Sequence, residues 1–122
     1  MKIAQQLKEK NIAEYLIYMW QVEDLLRANG CDIDRIRQNI ILRYPEEERP
    51  ALEEWYGNLA GMMRAEGVME KGHLQINRNV ILNLTELHGE LLASTKYPFY
   101  NAAYFKALPF IVELRQKNGR KE

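Results

Sequence analysis

Three polar side chains fall on helical faces that are otherwise apolar, and they are the residues with the clearest chemical potential. At about 100° per residue, Glu23 lies in the middle of the apolar face around it, which is made by Ile12, Tyr15, Leu16, Met19, Val22 and Leu26. Asn77 and His88 interrupt a second apolar stripe, which is made by Ile81, Leu84, Leu91 and Leu92. A carboxylate, an amide and an imidazole in one layer can bind a small polar molecule or transfer a proton.

Structural roles compete with these chemical ones. Arg27 follows Glu23 by four residues, a spacing that favours an ion pair on one helix. Glu23 is therefore interpreted as half of an ion pair at the margin of the core, as a functional buried carboxylate, or as a side chain exposed through a gap in the bundle. His88 is interpreted as a core histidine that meets Glu23 or a tyrosine, or else as an acid–base or metal-binding group. Because a buried polar group without a partner is costly, we expect both side chains to be buried and paired.

The residue pattern predicts no metal, no cofactor and no catalytic residue. Glu70 and His73 form one Glu-x-x-His pair, but Gly72 disfavours a helix there and no second pair exists. His73 and His88 would be ~22 Å apart on one helix, too far to share an ion. A phosphate-binding glycine loop, a nucleophile elbow and zinc-ligand spacing are all missing from the sequence.

The elements that position these residues have helical periodicity, which predicts an all-α fold. Asn11 and Glu14 resemble an N-cap and its partner after a short leading helix. Asp32 is a suitable cap for the next helix, while Gly30, Pro45 and Gly67 predict helix ends. The predicted main helices are residues 12–30, 33–44, 45–67, 73–95 and 100–117.

Short connections between these helices predict an antiparallel bundle of about five helices, the last bent at Pro109. The length of 122 residues suits a single domain spanning 1–122. Lys plus Arg and Asp plus Glu are both 17, and this balance argues against a nucleic-acid or membrane-surface partner. Cys31 is the only cysteine, and neither a signal peptide nor a long apolar span is evident, so we expect a cytoplasmic protein.

Two surfaces are candidate interfaces for a homodimer. Phe105 and Val112 lie away from the main stripe of the last helix, which is made by Tyr100, Tyr104, Ala107, Ile111 and Leu114. A helix that is apolar on two sides is either sandwiched or presents a surface to a partner. Gly57 and Gly61 form a small-xxx-small pair on the opposite side of their helix from Trp55, which is either an ordinary exposed pair or a close helix contact.

The stretches IAQQLKEKNIAEYLIYMWQVEDLLRA, MMRAEGVMEKGHLQINRNVI and ELHGELLAS resemble an uncharacterised bacterial family of small helical proteins, a domain of unknown function. The resemblance covers almost the whole chain and implies an all-helical cytosolic protein, without bringing an activity or site residues. Similar proteins continue into further helical sequence, so we expect this chain to be truncated at its C-terminus relative to them.

Two functional hypotheses follow. The first is a non-enzymatic helical scaffold or interaction module that self-associates through the last helix. The alternative is a small-molecule-binding or metal-dependent enzyme that uses the polar layer of Glu23, Asn77 and His88.

Overall fold

The computed structural model describes residues 2–117, and every regular element in that range is helical, which confirms the all-α fold class. The α-helices are α1 (Lys2–Lys10), α2 (Ile12–Ala28), α3 (Ile33–Asn39), α4 (Arg49–Glu66), α5 (Gln75–Ala93) and α6 (Pro98–Lys117). Two short 3-10 helices, Ile41–Arg43 and Glu46–Glu48, lie between α3 and α4. These six α-helices are the predicted short leading helix and the five predicted main helices, which agrees approximately with the predicted bundle of about five.

The start of α2 is set by a local cap. The Asn11 side chain accepts a hydrogen bond from the Glu14 backbone N–H at 3.2 Å, which satisfies one of the donors left over at a helix start. The Asn11 N–H donates to the Leu7 carbonyl at 2.8 Å, so it is not available to the Glu14 carboxylate. The predicted cap is therefore confirmed, and the backbone of α1 supplies the second half of the arrangement.

Helix α3 is shorter than the sequence predicts. Asp32 caps its start as expected, accepting from the Asp34 N–H at 3.0 Å, but the α-helix ends at Asn39 rather than at Tyr44. Pro45 forces Tyr44 out of the helical region, and the chain tightens into a 3-10 helix before it. Arg49 compensates by donating to the carbonyls of Tyr44 and Leu42, at 3.0 and 3.1 Å.

The chain divides into two compact units, Met1–Arg78 and Asn79–Glu122. The first unit contains a close-packed apolar core that runs from Ala4 to Leu74. Its most deeply buried members come from α2, α3, α4 and the residue before α5, and they are Leu26, Ile36, Ala60, Met63 and Leu74. Burial of this kind is the main stabilising contribution to a helical fold.

The second unit has a different character. Between residues 79 and 117 no side chain is buried. Helix α6 continues through Pro109, where the missing N–H removes one backbone hydrogen bond to the Phe105 carbonyl. A bend at Pro109 stays a prediction, as does the grouping of residues 1–122 into one domain.

No helix within residues 2–117 combines the length and the apolar character needed to cross a membrane.

Gly67 and Gly89 provide a matched pair of stability predictions. Gly67 ends α4 with a φ of 70°, and a Cβ built there meets nothing within 4 Å. Gly67→Ala should therefore cost ~1 kcal/mol of unfolding free energy through backbone strain alone. Gly89 lies inside α5 and has equally open surroundings, so Gly89→Ala should gain ~0.5–1 kcal/mol. Urea melts should give a lower unfolding free energy for Gly67→Ala and a higher one for Gly89→Ala than for the wild type. Changes of the same sign in both variants would contradict these roles of the two glycines.

Candidate functional site

Glu23 is the centre of a buried polar cluster in the first unit, which consists of Glu23, His73, Leu74 and Asn77. Its side chain is completely shielded from solvent. Oε1 lies 2.7 Å from Nδ1 of His73. Oε2 accepts from the Leu74 backbone N–H at 2.8 Å and from Nδ2 of Asn77 at 3.0 Å. Both carboxylate oxygens are thus engaged by groups within the chain.

This carboxylate also caps the start of α5. Leu74 precedes the first helical residue, and its apolar side chain cannot cap the helix itself. Glu23 accepts from the Leu74 N–H, and Glu66 at the end of α4 accepts from the Gln75 N–H at 2.8 Å. Two carboxylates from other helices thereby satisfy backbone donors at the positive end of α5. This gives Glu23 a structural role that its place on α2 alone did not predict.

The predicted ion pair between Glu23 and Arg27 is wrong. Arg27 pairs instead with the exposed carboxylate of Asp24 at 3.0 Å. Its guanidinium also donates to two carbonyls of the segment between α4 and α5, to that of Val68 at 3.1 Å and to that of Gly72. These carbonyls lie outside regular structure and need donors. Glu23 and Arg27 therefore both hold the same connecting segment, each by separate bonds.

His73 is the member of the cluster that the sequence pattern did not assign to it. From the sequence, His73 was interpreted only as a candidate metal ligand together with Glu70. Its ring lies against that of Trp20, with centroids 5.3 Å apart, and its side chain is a quarter exposed. Trp20 precedes Glu23 by three residues on α2, so the two residues share a helix face. An aromatic residue one turn before a buried carboxylate was the only local indication of this contact.

Asn77 completes the cluster and leaves a polar atom without a partner. Its Nδ2 must face Glu23, because the opposite orientation of the amide would place two acceptor oxygens together. Within residues 2–117, Oδ1 is then buried without a hydrogen-bond partner, and so is Nε1 of Trp20. The structure thus brings together Glu23 and Asn77 of the predicted polar layer.

His88, the third predicted member, has different partners in the second unit. Its Nδ1 is hydrogen-bonded to the Tyr100 hydroxyl, and its ring meets that of Tyr104 edge-on with centroids 4.4 Å apart. Of the two partners that the sequence suggested, a tyrosine and Glu23, the structure has the tyrosine. His88 is only partly buried, and its contacts join α5 to α6 within this unit.

The second chemical feature of the chain is the exposed apolar surface of the hairpin formed by α5 and α6. The predicted interface residues Phe105 and Val112 are 62% and 46% exposed. Phe99 and Phe110 are more exposed still, at 88% and 70%. Neither of these two residues is predicted from the sequence to lie at an interface. Other large apolar residues of this unit that are exposed are Leu82, Leu87, Tyr97, Ile111 and Leu114.

Gly57 and Gly61 lie on α4 in the first unit. A Cβ at Gly57 would stand 3.6 Å from Cδ1 of Ile33, so α3 of the same chain already packs against this position. Gly61 has the Arg64 side chain nearby at 3.7 Å. The small pair therefore accommodates contacts within the chain, which makes it a weaker interface candidate than α6.

The comparisons with known proteins give one match. The family model described as domain of unknown function (DUF4924) matches residues 1–122, which confirms the resemblance to a family of that kind. Searches against curated proteins and against solved structures returned no match.

Proposed function

We propose that this protein, which belongs to the DUF4924 family, is a non-enzymatic cytoplasmic interaction module whose binding surface is the α5–α6 hairpin. The observation that carries the proposal is the composition of α6. Its residues 98–112 include one charged residue, Lys106, as is typical of a helix with covered faces. None of its residues is buried.

The exposed surface is large enough to favour association. A fully exposed phenylalanine presents roughly 200 Å², so Phe99, Phe105 and Phe110 leave on the order of 450 Å² in contact with water. Covering that area would contribute on the order of 10 kcal/mol before the cost of association. Phe99 and Phe110 lie on one side of α6, and exposed apolar surface gathered on one side of an element commonly marks a binding surface.

The environment of Glu23 supports the non-enzymatic part of the proposal. The only fully buried carboxylate among the described residues bonds to a backbone N–H, an asparagine amide and a histidine. These bonds hold α5 and its preceding segment in place. The single thiol, Cys31, is buried, and burial raises its pKa against the smaller lowering effects of Arg64 and Arg27. A shielded thiol of this kind suits a reducing compartment.

We expect Phe110→Glu to abolish association through the hairpin, because a charge there cannot be buried without a partner. Light scattering after size exclusion will measure the native mass of the wild type and the variant at ~100 μM. The wild type should run as an assembly and the variant as one chain. Ile17→Glu is the control, since Ile17 is also an exposed apolar residue but belongs to α2. A wild type that runs as one chain, or an assembly unaffected by Phe110→Glu, would contradict the proposal.

A second candidate function rests on the unpaired atoms beside Glu23. Buried Oδ1 of Asn77 and Nε1 of Trp20 are an acceptor and a donor next to a carboxylate–imidazole pair, and such groups can bind a small polar molecule. Native mass spectrometry of the purified protein is the test. A bound mass that is lost in Asn77→Leu would favour this alternative, and a bare chain mass would count against it.

A further inference from the structure

The partner of the hairpin can be deduced from the pattern on the outer side of α6. Six exposed residues recur there at alternating spacings of four and three, and they are Phe99, Ala103, Lys106, Phe110, Glu113 and Lys117. Residues at these spacings lie along one side of a helix. We call this row the outer seam of α6.

The outer seam carries charges of both signs. Lys106 and Glu113 are exposed and lie seven residues apart, so they project from the same side of the helix two turns from each other. An oxygen of the Glu113 carboxylate is 3.2 Å from Nζ of Lys117 on its own helix, while no ion pair within 4 Å involves Lys106 among the described residues. A surface whose cation Lys106 and anion Glu113 are related in this way is complementary to its own copy turned end to end.

Resting on the proposed function, we infer that the hairpin binds a second copy of this chain, with the two α6 helices antiparallel and Lys106 of each copy facing Glu113 of the other. A two-fold axis that passes near Pro109 and Phe110 creates this ion pair twice. Parallel pairing would instead place Lys106 against Lys106 and Glu113 against Glu113, which is repulsive.

The charge and area of the hairpin favour a second copy over an acidic or basic partner. Residues 79–117 of the hairpin include three carboxylates, Glu86, Glu90 and Glu113, and four cationic groups, Lys96, Lys106, Arg115 and Lys117. Two nearly neutral surfaces approach without net repulsion. A stable interface buries roughly 800 Å² per partner. Phe99 and Phe110, the two phenylalanines of the outer seam, supply on the order of 300 Å² of that area.

A charge swap tests this arrangement. Sedimentation equilibrium will give the dimer dissociation constant for the wild type, Lys106→Glu, Glu113→Lys and the double variant. Each single change turns two attractive contacts into two repulsive ones, so we expect about tenfold weaker dimerisation in each. The double variant restores opposite charges across the axis, and its dissociation constant should return to within about threefold of the wild type. At ~1 M salt the differences should largely disappear.

Lys117→Glu is the matched control, because it repels Glu113 on the same helix but lies away from Lys106 of the second copy. Its effect should stay below threefold. A dimer that Phe110→Glu dissociates but that the double variant fails to restore would overturn the antiparallel pairing and leave the proposed function standing. A wild type that runs as one chain at ~100 μM would overturn the inference and the proposed function together. A dimer whose dissociation constant is unchanged by Phe110→Glu and by the charge variants would overturn the inference and the proposed function together.

Discussion

Glu23→Ala should lower the free energy of unfolding by about 3–5 kcal/mol, the largest loss expected from a single polar substitution in this chain. The substitution deprives the Leu74 N–H and the Asn77 amide of their acceptor and removes the partner of His73. Each buried polar group left without a partner costs roughly 1–3 kcal/mol. The start of α5 also loses a favourable negative charge. Urea denaturation followed by circular dichroism, at one fixed protein concentration, is the measurement.

The neighbouring carboxylate provides the control. Asp24 is largely exposed and bonds only to Arg27 among the described residues, so Asp24→Ala should cost less than ~1 kcal/mol. Glu23→Gln preserves the shape but points an amide donor at other donors, and its cost should fall between the two. Equal losses of unfolding free energy for Glu23→Ala and Asp24→Ala would show that the buried hydrogen bonds of Glu23 do not stabilise the fold.

Double-mutant cycles extend the same experiment. Glu23 and Asn77 share a hydrogen bond, so their combined loss should differ from the sum of the single losses by more than ~0.5 kcal/mol. Glu23 and His88 have no partner in common, and their losses should add. Strong coupling between Glu23 and His88 would restore the three-member polar layer that the sequence suggested.

The sequence alone was sufficient to predict helix starts and ends that depend only on residues nearby in the chain. Asn11 and Asp32 each cap a helix within three residues of themselves. Gly67 ends α4 through its own left-handed conformation. These features depend on short-range geometry and residue type, which a single sequence displays directly.

The environment of Glu23 could not be predicted in the same way. Its partners lie 50 to 54 residues away along the chain, and nothing near Leu74 indicates that an acceptor arrives from α2. Arg27 does not form the i,i+4 ion pair that its spacing favours, because its guanidinium donates instead to loop carbonyls that need donors. Periodicity identified Glu23 and Asn77 as unusual but did not indicate what they bind. Likewise, Phe99 and Phe110 were assigned no interface role because aromatic residues are usually buried.

A second large effect is expected at alkaline pH, from a group of buried and half-buried tyrosines in the first unit. Tyr56 is almost completely buried. Burial raises the pKa of its hydroxyl far above 10.0, and the neighbouring Tyr44 and Tyr18 add to that shift. Burial also raises the pKa of Tyr15 and of Tyr18. The protonated tyrosines are therefore the form that the folded chain favours.

The chain should consequently lose stability as the pH rises above about 10, because the unfolded state releases tyrosine protons there while the folded state retains them. The contribution of these hydroxyls to the free energy of unfolding is fully present below the tyrosine pKa of the unfolded chain. It disappears as the pH rises toward the tyrosine pKa of the folded chain. Each proton of difference lowers the unfolding free energy by about 1.4 kcal/mol per pH unit.

Tyr56→Phe removes one such group and loses the hydrogen bond to Tyr44. The variant should be ~1 kcal/mol less stable than the wild type at neutral pH, and this deficit should shrink or reverse as the pH rises. Urea melts from about pH 8 to about pH 12, with the half-exposed Tyr97→Phe as the control, will measure both slopes. Parallel pH dependences for the wild type and Tyr56→Phe would show that the buried hydroxyl does not control alkaline unfolding.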